Sequence, residues 1–129
     1  MPEPHVFEYA VLRVVPRVER EEFINVGVIV LCQPLGFLRT QVQLPETRLL
    51  ALTGRHSLNL ADLHERLRAF ERICQGQPDG GSIGRLPLAE RFRWLTAQRS
   101  TVVQTSPVHP GLCLEPAATL QRLVEQLVS

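Results

Sequence analysis

The densest apolar run of the chain is Phe23 to Cys32, which reads Phe-Ile-Asn-Val-Gly-Val-Ile-Val-Leu-Cys. It is too short to span a membrane and too rich in Val and Ile to favour helix. It predicts a strand buried on both faces, near the middle of a sheet. Asn25 and Gly27 interrupt the run. They alternate with Ile24, Val26 and Val28, so an unbroken strand places both on one face. A polar amide and a missing side chain there mark a place of close approach.

Val6 to Val15 predicts a second interior strand. Phe7, Tyr9, Val11, Arg13 and Val15 share one face, and Val6, Glu8, Ala10, Leu12 and Val14 share the other. Arg13 is the anomaly, because an Arg among apolar neighbours is costly to bury unless it is paired or reaches an edge. Pro16 ends the strand. Arg17 to Glu22 is a charged connection, an ordinary solvated loop unless Glu21 turns back to pair with Arg13. Gln33-Pro34-Leu35-Gly36 is a turn. Phe37 to Leu44 then alternates as a half-exposed third strand, a hairpin partner of the run at 23–32.

The period then changes. Pro45 to Leu52 reads as a short helix with Pro at its first position and Gly54 as its stop. Asn59 caps a longer helix with Asp62 in its first turn. Leu60, Leu63, Leu67, Phe70 and Ile73 form its apolar stripe down to Cys74, and Gly76 stops it. Residues 75–84 form a Gly-rich stretch read as a mobile loop. Its glycines lack the Gly-Lys-Ser/Thr pattern and the preceding strand of a phosphate loop. Leu88 to Ala97 is a short helix with Leu88, Phe92 and Leu95 inward. Ser100 to Ser106 is a fourth strand, and Pro107 to Gly111 an extended or turning loop. Glu115-Pro116 opens a last helix with Leu120, Leu123, Val124 and Leu127 as its stripe. The pattern predicts an α+β fold: a mainly antiparallel sheet of about four strands with helices packed on one face.

Size and charge narrow this only a little. At 129 residues and 44% hydrophobic, the chain fits a single domain, residues 1–129, with a core of its own. A net charge of +1 supplies no global field for nucleic acid, which is not an expected partner. All fourteen basic residues are Arg, which suits forked recognition of phosphate or carboxylate as well as a GC-rich coding bias. The three cysteines, Cys32, Cys74 and Cys113, show no zinc or redox spacing. Together with a start that lacks a secretory pattern, they fit a reducing cytoplasm. No membrane segment is expected.

Candidate chemistry concentrates between Arg91 and Gly111, where Arg93, Trp94, Ser100, Thr101, Gln104 and His109 stand close in sequence. Guanidinium forks, hydroxyls and loop N–H groups suit an anion. A nucleophilic set could be assembled from Ser100 or Ser106 with His109 and Glu21, but neither Ser has a nucleophile-elbow signature. His109 and Cys113 stand at an odd spacing with no second pair, so no metal and no cofactor is expected. Trp94 among Arg residues could stack on a base.

Two blocks carry a family resemblance. Tyr9 to Pro16 followed by Arg20-Glu21-Glu22-Phe23-Ile24-Asn25-Val26-Gly27-Val28 is one. Arg91-Phe92-Arg93-Trp94-Leu95-Thr96-Ala97, then Arg99 to Pro107, His109 and Gly111, is the other. Together they resemble the N- and C-terminal signatures of an uncharacterised bacterial group, domain-of-unknown-function family 3037. The resemblance implies no activity. It implies an accessory role beside a HipA-like kinase, and it emphasises Arg13, Glu21, Asn25, Gly27, Arg93, Ser100, Thr101 and His109. The expectation is a non-enzymatic binding module in which these residues form one polar site for an anionic ligand or a partner protein. Arg13 and Arg93 would be the anion donors, Glu21 would orient an Arg, and Gly27 would leave the ligand room. The alternative is a small hydrolase or transferase acting on a phosphorylated or nucleotide substrate, with His109 as general base.

Overall fold

The computed structural model describes residues 3–15, 22–53, 59–76, 81–99 and 101–128. Five strands form one antiparallel sheet: β1 (His5–Val14), β2 (Ile24–Cys32), β3 (Phe37–Val42), β4 (Val103–Thr105) and β5 (His109–Cys113). The order is β3-β2-β1-β4, with β5 also on β1. The two long apolar runs are therefore adjacent at the centre, as their two-sided burial requires.

β5 falls where a loop is expected from Pro107 to Gly111. It and β4 follow one another along a single edge of β1. Leu12 faces Thr105 and Tyr9 faces His109, so residues 106–108 pass only Ala10 and Val11, and one residue is extra. The Val15 N–H donates to the Val102 carbonyl at 2.7 Å and the Ser106 N–H to the Val11 carbonyl at 2.8 Å, so the odd residues of β1 address this edge. Pro110 lies opposite Glu8, an even residue. By the alternation of the ladder its nitrogen faces away from β1, where no donor is missed. That is how a His-Pro-Gly segment can be a strand.

A second irregularity lies in β2. Leu12 pairs with Gly27 but Arg13 pairs with Asn25, leaving Val26 unmatched. The face of every following residue is thereby switched. Ile24, Val26, Ile29 and Leu31 join Ala10, Leu12 and Val14 in one core, while Val28, Val30 and Cys32 join Phe7 in another. The expectation that Asn25 and Gly27 share a face is corrected by this bulge: Asn25 lies beside Arg13 and Gly27 beside Leu12 on the reverse face.

Helices cover both faces, rather than one. α1 (Glu46–Thr53), α2 (Leu60–Gln75) and α3 (Leu88–Leu95) take the first core, through Leu49, Leu63, Leu67, Phe70, Ile73, Phe92 and Leu95. α4 (Pro116–Leu127) takes the second, through Leu120, Leu123 and Val124. Two apolar faces on the central strands need two covers. α2 is capped as its sequence predicts: the Asn59 side chain accepts from the Asp62 N–H at 3.1 Å, and Gly76 is left-handed with φ 68°. Arg91 Nη1 donates to the Ile73 and Cys74 carbonyls at 2.8 Å each, so a side chain of α3 adds a donor to the last carbonyls of α2 beside the Gly76 N–H. The connection at 16–21, residues 54–58 and the 77–80 part of the Gly-rich stretch lie outside the described residues.

Gly27 is explained by packing. A Cβ there would sit 2.7 Å from the Gln41 carbonyl oxygen of β3 and 3.3 Å from Leu12 Cδ1. The space expected for a ligand is filled by the neighbouring backbone. Gly27→Ala should destabilise the fold by about 1–3 kcal/mol through overpacking. Urea unfolding would report this as a lower midpoint at unchanged slope, and an unchanged midpoint would show that β3 can give way.

Candidate ligand site

The β2 bulge brings two of the predicted polar residues into direct opposition. Arg13 faces Asn25 on β2 and Gln104 on β4, so the three side chains form a row on the α4 side of the sheet. The Arg13 guanidinium lies over the Phe23 ring, its Cζ 4.1 Å from the centroid, a cation–π contact that fixes its plane. Asn25 Nδ2 donates to the Leu127 carbonyl at 3.0 Å. That carbonyl can only accept, so the amide orientation is set and Oδ1 points elsewhere.

Three hydrogen-bonding capacities of this row are handled differently. Gln104 Nε2 turns aside to the Thr101 carbonyl at 3.0 Å. Arg13 Nε and Asn25 Oδ1 are both buried without a hydrogen-bond partner. Among the described residues the ion pairs are His64–Glu46, Arg66–Asp62 and Arg72–Glu65, none of which neutralises Arg13. Burial lowers the Arg13 pKa from its ordinary value, though a guanidinium stays charged. The carbonyl end of α4, reached through Leu127, favours a cation here but supplies only a fractional charge. The row therefore closes off an unpartnered donor and acceptor, and among the described residues no carboxylate cancels its positive charge.

The other predicted residues lie elsewhere. His109 is on the same face, but its partner Tyr9 is four residues from Arg13, about 13 Å along a strand. Its ring packs against Tyr9 with centroids 5.4 Å apart. Thr101 donates its hydroxyl to the Val103 carbonyl at 2.7 Å and lines a hollow on the opposite side, facing α2 and α3. Arg93 is exposed on α3. Glu21 and Ser100 lie outside the described residues. Gln104 stands out in sequence by residue type alone and Phe23 and the Leu127 carbonyl do not, because the register of β1 with its neighbours and the docking of α4 are what bring them to the row.

Ser106, considered above as a nucleophile, is engaged in the sheet. Its Oγ accepts from the Val11 N–H at 2.8 Å and donates to the Pro107 carbonyl at 2.9 Å, with the residue 3% exposed. The hydroxyl stands in for the carbonyl that the extra residue displaces from the ladder. All three cysteines are free and buried. Cys74 pairs with the Thr40 hydroxyl at 3.0 Å, and burial pushes its thiol up to about 11. Burial, seconded by nearby Cys32, also raises Cys113. The Cys32 and Cys113 side chains lie within hydrogen-bonding reach of one another. Among the described residues no three His, Cys, Asp or Glu side chains group as metal ligands, and no helix is long and apolar enough to cross a membrane.

Ser106→Ala should cost about 1–3 kcal/mol, since it leaves the Val11 N–H buried and unpaired. Chemical denaturation checks this, and unchanged stability would deny the hydroxyl its place in the ladder. The thiols give a pH prediction. The folded Cys74 pKa is raised, so its neutral form contributes fully below pH 9, and stability is lost as pH climbs from 9 toward about 11. At pH 8 a thiol-specific colorimetric reagent should find no fast thiol in the native chain and all three in denaturant. A rapid native reaction would contradict their burial.

No curated protein and no solved structure matches the chain. A family model does match, over residues 9–128, and its description is a protein of unknown function, DUF3037. The two signature blocks at the ends of that span frame β1, β2 and β4, the strands that build the Arg13 row, and the chain belongs to the DUF3037 family.

Proposed function

We propose that the chain is a non-enzymatic binding module whose Arg13–Asn25 row takes a polar anionic group of a ligand or partner protein. The observation that carries this reading is the uncancelled Arg13 guanidinium beside the unpartnered Asn25 Oδ1. Arg13 Nε and Asn25 Oδ1 are themselves closed to solvent, and it is the half-exposed remainder of the Arg13 side chain that a ligand with an acidic oxygen next to an N–H or O–H would meet, answering its charge. Such a pair occurs on an acidic side chain with its own backbone amide and on a protonated phosphoester. A protein partner, a HipA-like kinase among the candidates, would present the first. The three free thiols support action in a reducing cytoplasm. The hydrolase reading loses Ser106 to the ladder and has His109 far from Arg13 along the strand.

The test is calorimetric titration at low salt with phosphate, citrate, AMP and an N-acetylated aspartyl peptide, using the native chain and two variants. Arg13→Gln should weaken the best binder about tenfold or more, the worth of one charge-assisted contact. Its unfolding midpoint should hold or rise, because an uncancelled charge is removed. Arg93→Ala, exposed on α3, should bind normally. Equal affinity in native and Arg13→Gln chains would end this assignment, as would turnover of AMP.

A further inference from the structure

The reverse side of the sheet holds a second place with an uncancelled guanidinium. Between α2, α3 and the start of β4 lies a hollow of about 200 Å3. Phe70, Leu95 and Val103, all at most 5% exposed, form its floor. Trp94, Arg99 and Thr101 stand at its rim. Arg99 is held in place three ways. Its Nη2 donates to the Trp94 carbonyl at 2.6 Å, and its Cζ lies 4.9 Å from the Trp94 ring and 5.8 Å from the Phe70 ring. Arg66, also on the rim, is already paired with Asp62 at 2.9 Å. Among the described residues no carboxylate pairs with Arg99, and no hydrogen bond uses its Nε or Nη1.

We propose that this hollow binds an organic monocarboxylate with a compact apolar body, the carboxylate on the Arg99 fork and the body over Phe70, Leu95 and Val103. The argument is one of matching. One uncancelled positive charge asks for one negative charge, and a planar fork suits a carboxylate in two parallel N–H···O bonds. A phosphate dianion would bring excess charge onto an apolar floor. The volume is below that of a drug-sized pocket and suits a body about the size of a Leu or Phe side chain. Thr101 already spends its proton on the Val103 carbonyl, so its oxygen adds only an acceptor. Burial also lowers the Arg99 pKa, the mark of a cation partly withdrawn from water with nothing to cancel it. The same chemistry has two sources, a free branched or aryl-substituted acid and the C-terminal residue of a peptide. This site is independent of the Arg13 row, which lies on the other face of the sheet.

The chain carries a single Trp, at position 94, so its fluorescence reports this rim alone. The native chain is titrated with 4-methylpentanoate, 3-phenylpropanoate, their primary amides, and a leucine-terminated peptide with free or amidated C-terminus. The acids should give a saturable change and the amides none. Arg99→Met should weaken acid binding about tenfold or more. Ala69→Met, which fills the hollow from α2, should abolish it while the unfolding midpoint holds, and decides the matter if Arg99→Met does not fold. Arg13→Gln should leave it unchanged. A free-terminus peptide that binds more tightly than the acids identifies a protein C-terminus as the source, and a weaker one identifies a small acid. Equal response to acids and amides, no response up to about 10 mM, or normal binding in a folded Arg99→Met or Ala69→Met overturns the proposal.

Discussion

One extra residue, Val26, sets the geometry on which the rest of the sheet depends. If β2 ran without the bulge, its nine residues would alternate strictly, and Asn25 and Gly27 would lie on one face. With it, Asn25 turns to Arg13 and the last turn of α4, while Gly27 turns to Leu12 and the backbone of β3. The bulge also divides the apolar run between two cores, one under α1–α3 and one under α4. A run that reads as simply hydrophobic is in fact two stripes out of phase.

The second irregularity, on the outer edge of β1, is repaired by chemistry rather than by packing. There a chain of three residues passes two, and a backbone acceptor for Val11 is lost. Ser106 replaces it with its hydroxyl and passes its own proton to the next carbonyl. The step lets the edge continue into β5, where Pro110 can be accommodated because its nitrogen faces outward. A serine that invites a catalytic reading is thus occupied by the demands of a ladder with one residue too many.

These two bulges also mark the limit of what is legible in the sequence. Periodicity locates β1, β2, β3 and α2 well, because each carries a long unbroken pattern and, for α2, a cap at both ends. It misses β5, because a buried partner on one side only leaves little constraint, and His-Pro-Gly carries the composition of a turn. It places the helices on one face because a strand buried on both sides does not say what covers each. Arg13 and Asn25 stand out as polar residues on interior strands, and the structure makes them neighbours. Thr101, His109 and Arg93 stand out for residue type, yet type alone carries no register, and the structure distributes them over both sides of the sheet. Arg99 stands out in sequence only as one of the Arg residues around Trp94, since nothing there shows that two aromatic rings will close around it.

Three arginines that meet the protein interior show why burial alone does not indicate function. Arg91 places Nη1 on two carbonyls at the end of α2, where the helix dipole is negative, so its charge has a structural answer even though its Nε is unpartnered. Arg13 and Arg99 have aromatic rings against their planes but, among the described residues, no carboxylate at their edges. A ring quadrupole holds a guanidinium in position without supplying acceptors for its N–H groups. Held planes with free edges are what recognition of an incoming carboxylate or phosphate requires, because the side-chain entropy is lost in folding rather than on binding. What separates these arginines is what their edges meet: Arg91 meets the carbonyls at a helix end, whereas among the described residues Arg13 and Arg99 meet no carboxylate.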